Sequence, residues 1–174
     1  MAILTIPETK VTIDNFSDIQ SFLKSRGIWH DQWKANEVLA ETASQEEILA
    51  AYAHDLKPFM AKGGYKAADV INVNSQTPNL EAVRTKFLAE HTHTEDEIRF
   101  FVDGEGIFWF HVNGEVFSVT CHAGDLLSVP ANTTHWFDLG PKANVKAIRV
   151  FIDPAGWVAN YTGSGIDKKY NPAY

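Results

Sequence analysis

The sequence predicts a mainly β chain with helices gathered in its N-terminal half, an α+β arrangement, and three observations predict it. Up to about residue 85 the apolar residues recur at helical spacing between capping signals. From about residue 86 to about 152 they come in short runs broken by turn dipeptides, the pattern of a compact β-sandwich or barrel. No internal repeat, low-complexity tract or linker interrupts the 174 residues, a length that suits one domain. The expected organisation of 1–174 is therefore an N-terminal helical region (about 1–85), a barrel core (about 86–152) and a C-terminal loop segment (about 153–174).

Each element follows from local chemistry. NFSDIQSFLKSRG sets Phe16, Ile19, Phe22 and Leu23 on one face and ends at Gly27, a helix-end residue. Ser44 with Glu47 makes a capping box ahead of EEILAAYAHDL, whose Ile48, Leu49 and Tyr52 form a stripe. Pro58 and then Gly63-Gly64 are expected to close that helical region. DVINVN reads as a strand, and Thr77 with Pro78 is expected to start a short helix running to about Arg84. Asp103-Gly104 and Asn113-Gly114 read as hairpin turns separating EIRFFV, IFWFHV and EVFSVT. LLSVP, HWFDLG and VKAIRVFI supply three further strands, and the tail from Asp153 reads as an ordered loop.

Composition narrows the function classes. A net charge of -7 and a pI near 5.4 leave no basic face for phosphate backbones, so no nucleic-acid partner is expected. The single Cys121 has no internal partner, which suits a reducing compartment, and MAILTIPETK lacks the basic leader of a signal peptide. No apolar run approaches the roughly 18 residues of a membrane helix. The expectation is a cytoplasmic protein without a membrane partner. Without an evident extra apolar helix face, a monomer is expected.

The chemistry concentrates in HTHTEDEIRF, residues 91–100. In a strand His91 and His93 point the same way, about 6.5 Å apart at Cα. Glu97 would lie about 20 Å from His91 on a straight strand, so one ion reaches both only if the chain turns at the polar TED and Glu97 opens the next strand. His135, in VPANTTHWFDLG, arrives on a separate strand after a proline turn. Three imidazoles and one carboxylate suit iron, nickel, manganese or copper. Arg99, two residues past Glu97, shares its inward face. By the same parity Phe87 shares a face with His91, and Phe137 with His135; both are candidate walls, although packing alone would also account for them. Glu90 and Asp96 flank the ligands and are expected to face away from the ion, where solvated acids are the plainer reading. His30, His54, His111 and His122 have no ligand spacing, and Cys121 reads as a buried filler.

These residues resemble the cupins, a small β-barrel family (the double-stranded β-helix, or jelly roll). His91, His93, Glu97 and Gly104 match its motif G-x5-H-x-H-x3-E-x6-G, and Gly124, Pro130 and His135 match G-x5-P-x-G-x2-H-x3-N. Thr85, Asn132 and Leu139 depart from these patterns, but no ligand position does, and Asn tolerates the left-handed backbone a glycine supplies. Within the cupins, KFLAEHTHTEDEIRFFVDGEGIF, VPANTTHWFDLG and GWVANYTG are similar to the acireductone dioxygenase family of methionine salvage, over nearly the whole chain. The resemblance implies His91, His93, Glu97 and His135 as ligands of one Fe(II) or Ni(II) per chain. It implies Arg99 as the residue that ionises an enediol substrate consumed with O2. Trp157 resembles a site aromatic of that family, Glu90 a residue of metal loading, and Asp96 a relay of local conformational change. The alternatives are another metal-dependent cupin enzyme and a noncatalytic cupin that stores or senses a small molecule.

Overall fold

The computed structural model describes residues 1–153, 155 and 158–170. In chain order the elements are β1 (Ile3–Ile6), β2 (Val11–Ile13), α1 (Phe16–Lys24), β3 (Trp29–Gln32), α2 (Gln45–Ala51), α3 (Ala53–Gly63), β4 (Ala67–Val73) and α4 (Leu80–Leu88). They continue with β5 (His91–Thr92), β6 (Glu97–Val112), β7 (Glu115–His122), β8 (Asp125–Val129), β9 (His135–Asp138), β10 (Val145–Phe151) and β11 (Asn160–Tyr161), then a 3-10 turn, Asp167–Lys169. Two antiparallel sheets share β6. The first runs β11-β5-β9-β6-β7-β1-β2, and the second runs β3-β8-β6-β10-β4. The mainly β, jelly-roll architecture is thus the one expected, as two facing sheets rather than a barrel closed by hydrogen bonds. Among the described residues no helix is long and apolar enough to cross a membrane.

β6 explains the packing. Its 16 residues run unbroken through Asp103-Gly104, so the hairpin expected at that dipeptide is instead a bulge. Opposite β10, Phe101 pairs Ala147 while Asp103 pairs Lys146, leaving Val102 as the extra residue. Gly104 is left-handed (φ 75°), and a Cβ there would sit 2.1 Å from the Asn144 carbonyl oxygen. One inserted residue exchanges the faces of everything after it. Before the bulge the odd residues point inward, with Phe101 in the central core; after it Phe108 and Phe110 do so. The outward residues before the bulge, Ile98 and Phe100, are covered by Ile48, Tyr52 and Leu56 of α2 and α3. Those helices leave the inner face of the second sheet to the site.

The other expectations are met unevenly. Asn113 and Gly114 (φ 54° and 77°) do turn β6 into β7. The Ser44–Glu47 capping box is present. The first 85 residues also contribute β1, β2 and β3, which pair β7, each other and β8 as sheet extensions too short to carry a clear alternation. Pro58 lies inside α3, which closes only at Gly64 (φ 74°). Thr77 caps nothing: its Oγ1 accepts from the Asn74 N–H in a turn, and α4 starts later, at Leu80, and runs on to Leu88. Phe87 therefore stands on a helix, and strand parity with His91 does not apply to it.

Candidate metal centre

The turn expected between His93 and Glu97 is present, and it brings two sheets to one point. His91 lies on β5 directly opposite His135 on β9, while Glu97 opens β6 in the second sheet opposite Val129. The Asn132 N–H donates to the His93 carbonyl (2.8 Å), and Asn132 takes the left-handed conformation (φ 63°) that its replacement of a motif glycine demands. The side chains of His91, His93, Glu97 and His135 are all buried, with one candidate ligand atom from each within 4.8 Å of the others.

Backbone carbonyls set the imidazoles. Nδ1 of His91 donates to Ala89 O (2.7 Å), Nδ1 of His135 to Thr133 O (2.8 Å), and Nδ1 of His93 lies 3.4 Å from Val158 O. A neutral imidazole bonded in this way carries its lone pair on Nε2. Nε2 of His135 and of His93 nevertheless lie 2.9 and 3.1 Å from Glu97 Oε2. In the neutral state these are acceptors facing an acceptor, an arrangement that calls for a cation among them. Burial lowers the His91 pKa to about 4, with repulsion from His135 adding to the effect, so that imidazole is neutral at pH 7. Burial alone would raise the Glu97 pKa, but the Arg99 charge and the contacts with His135 and His93 hold it well below the usual carboxylate range. Three imidazole nitrogens and one carboxylate suit a divalent transition-metal ion.

Arg99 lies against this set, its Nε 2.8 Å from Glu97 Oε1. Its guanidinium stacks over the Phe137 ring at 4.1 Å. Arg99 Nη1 is buried with no hydrogen-bond partner among the described residues. A cavity of about 390 Å³ opens over His91, His93 and Glu97 and is lined also by Phe87, Arg99 and Phe137. The two rings meet edge to face at 6.1 Å. Gly106 makes room for this wall, since a Cβ there would lie 2.3 Å from the Phe137 ring. Trp157 lies outside the described residues.

Glu90 and Asp96 do not line the cavity. Glu90 is buried rather than solvated. It accepts from His111 Nδ1 (2.9 Å) and from the hydroxyls of Thr162 and Ser164, which tie the C-terminal segment down beside the site. Asp96 is half-buried and accepts from the Ala131 N–H (2.9 Å), bracing the turn that leads to His135. The cavity also includes Lys86, Arg149, Val158, Ala159 and Tyr161, which the sequence reading does not select. For Arg149 the available signal is a lone arginine within the apolar AIRVF of β10. For Tyr161 there is none, because only the pairing of β11 with β5 brings its ring to 6.0 Å from His91.

Comparison with known proteins agrees with this geometry. The model of the ARD/ARD' family matches residues 7–159. An acireductone dioxygenase of Picosynechococcus sp. is 56% identical over 171 residues, covering 98% of this chain and 97% of its own. One from Alcanivorax borkumensis is 50% identical over 149 residues, 86% of this chain and 82% of its own. A solved acireductone dioxygenase from Bacillus anthracis, with a cadmium ion in its active center, superposes with a TM-score of 0.84 at 38% identity, over 92% of this chain and 98% of that one. Two facing sheets, a buried His3Glu cluster and matches over nearly the full length lead to one conclusion: the chain belongs to the ARD/ARD' family.

Proposed function

We propose that this chain is a metal-dependent dioxygenase that cleaves the acireductone 1,2-dihydroxy-3-keto-5-methylthiopentene with O2, in methionine salvage in the cytoplasm. The observation that carries the reading is a buried three-imidazole, one-carboxylate cluster at the floor of a cavity that also presents the buried Arg99. The relatives named as acireductone dioxygenases support the substrate. His91, His93, Glu97 and His135 would hold one Fe(II) or Ni(II), which supplies Lewis acidity toward the substrate oxygens.

The chain's own residues do the rest. Arg99, kept charged beside Glu97, offers its buried Nη1 as a donor to an anionic oxygen and so favours the ionised enediol over the neutral one. Phe87 and Phe137 give the methylthio tail an apolar wall and exclude water from the reacting end, where charge-assisted hydrogen bonds then count for more. We propose a substrate-binding role for Trp157 on the family resemblance alone. Asp96, through the Ala131 N–H, fixes the turn that aims His135. Glu90 fastens the segment whose Val158 carbonyl lies against His93. A small enediol and O2 need no macromolecular partner, and a monomer with one ion per chain completes the reading.

The iron form is expected to give formate and 4-methylthio-2-oxobutanoate, and the nickel form formate, carbon monoxide and 3-methylthiopropionate. The test is to strip the protein, reload separate samples with Fe(II) or Ni(II), and supply acireductone with O2. Carbon monoxide from the nickel sample alone is the expected result. Identical products from two active forms contradict metal control of the outcome, and no turnover by either contradicts the enzyme.

A further inference from the structure

One row of side chains crosses the inner face of the second sheet at the level of the site. Leu127 on β8 pairs Arg99 on β6, Arg99 pairs Arg149 on β10, and Arg149 pairs Asp69 on β4. Directly opposed residues lie on one face with Cβ atoms about 4.5–5.5 Å apart, where like charges repel. The chain nevertheless sets two guanidiniums side by side, and both line the cavity. Asp69 grips Arg149 through two parallel contacts, Nε to Oδ1 at 2.8 Å and Nη2 to Oδ2 at 2.6 Å, which fix the plane of the guanidinium. The row is also graded: the side chains of Arg99, Arg149 and Asp69 are 5%, 26% and 35% exposed, so exposure rises strand by strand away from Arg99. An ion pair that served only to hold the sheet edge would need no place on the cavity wall.

We propose that Arg149 is a specificity-determining residue, a second cationic contact for the substrate set one strand from Arg99 on the same cavity wall. This rests on the reading of the substrate as an acireductone. Such a molecule carries three oxygens on adjacent carbons and behaves as a vinylogous acid. Loss of the C1 hydroxyl proton leaves a charge shared between the C1 oxygen and the C3 carbonyl oxygen, and loss of a second proton leaves a charge on the C2 oxygen. Three oxygens that share this charge offer more acceptors than Arg99 alone can meet. Arg99, beside Glu97, answers the enediol end; Arg149 answers the C3 oxygen. A simple diol without that third oxygen gains nothing from the second guanidinium, so the pair selects reductone-type anions.

The test uses Arg149→Met, which keeps an apolar stem and removes the charge. Anaerobic titration of acireductone into Ni(II)-loaded protein, followed by the absorbance of the enediolate, reads affinity and ionisation together. The expected result is a Kd raised about tenfold or more, with metal content and circular dichroism unchanged. The dianion spectrum is retained because Arg99 is intact. In air, KM rises while kcat stays within about twofold. Arg149→Lys, with the charge but not the fork, is expected between the two, and it carries the test if Arg149→Met does not fold. A wild-type Kd in folded, metal-loaded Arg149→Met overturns the role of Arg149. So does a wild-type Kd in Arg149→Lys if that variant alone folds. Failure of the wild-type protein itself to bind acireductone overturns the substrate reading and the role of Arg149 with it, which separates the two failures.

Discussion

His135 shows most directly why this site asks for a cation. Its Nδ1 is committed to a backbone carbonyl, yet its Nε2 faces a carboxylate oxygen at 2.9 Å. Removing any one imidazole or the carboxylate leaves three donors. Alanine at His91, His93, Glu97 or His135 is therefore expected to lower the metal content of purified protein by about tenfold or more. Full metal in any three of these variants, by elemental analysis, contradicts the assignment. The same burial gives the metal-free protein a pH dependence. His91 titrates near 4 when folded against 6.5 ordinarily, so between those values the unfolded chain holds a proton that the native chain does not. Stability then rises with pH across about 4 to 6.5, and the His91 contribution is level above that window. Thermal melts in chelator at pH 4.5, 5.5 and 7 check this, and a melting temperature independent of pH contradicts it. The ligands were legible in the sequence because His-x-His, a turn and a distant histidine have a spacing. Glu90 was legible only as a position, since its partners His111, Thr162 and Ser164 are far from it along the chain.

β6 is the element on which the site depends, and it shows where sequence reasoning fails. Asp-Gly between two apolar runs has the composition of a hairpin turn, but in either structure glycine is needed for its left-handed backbone. What decides for a bulge is the β10 strand, which pairs Phe101 on one side of Val102 and Asp103 and Gly104 on the other and is distant in sequence. Phe87 shows the opposite case: it lines the cavity as expected, but from α4 rather than from a strand, because the helix runs four residues past its expected end at Arg84. Gly104→Ala is expected to destabilise the protein by about 2–3 kcal/mol, since it adds a left-handed alanine and a clash with the Asn144 carbonyl. Urea unfolding measures it, and a wild-type midpoint contradicts the account of the bulge. Asn113-Gly114, a similar dipeptide, does form the hairpin, with Val112 paired to Glu115 across it.

At the scale of the molecule, the α2–α3 pair and the site occupy opposite faces of one sheet. α2 and α3 bury the outward residues of β6 and β10, which keeps the inner residues Glu97, Arg99 and Arg149 facing the cavity. The C-terminal segment closes the other side through β11 on β5 and the contacts to Glu90. The fold therefore sets the candidate ligands where the two sheets meet, beside the cavity. The most direct measurement is dioxygen uptake on adding acireductone to protein reloaded with Fe(II), with Glu97→Ala carried through the same loading. The account predicts uptake of one O2 per acireductone consumed by the wild-type protein and none above the uncatalysed rate by the variant. Uptake by Glu97→Ala at the wild-type rate, or none by wild-type protein shown to hold its metal, would contradict it.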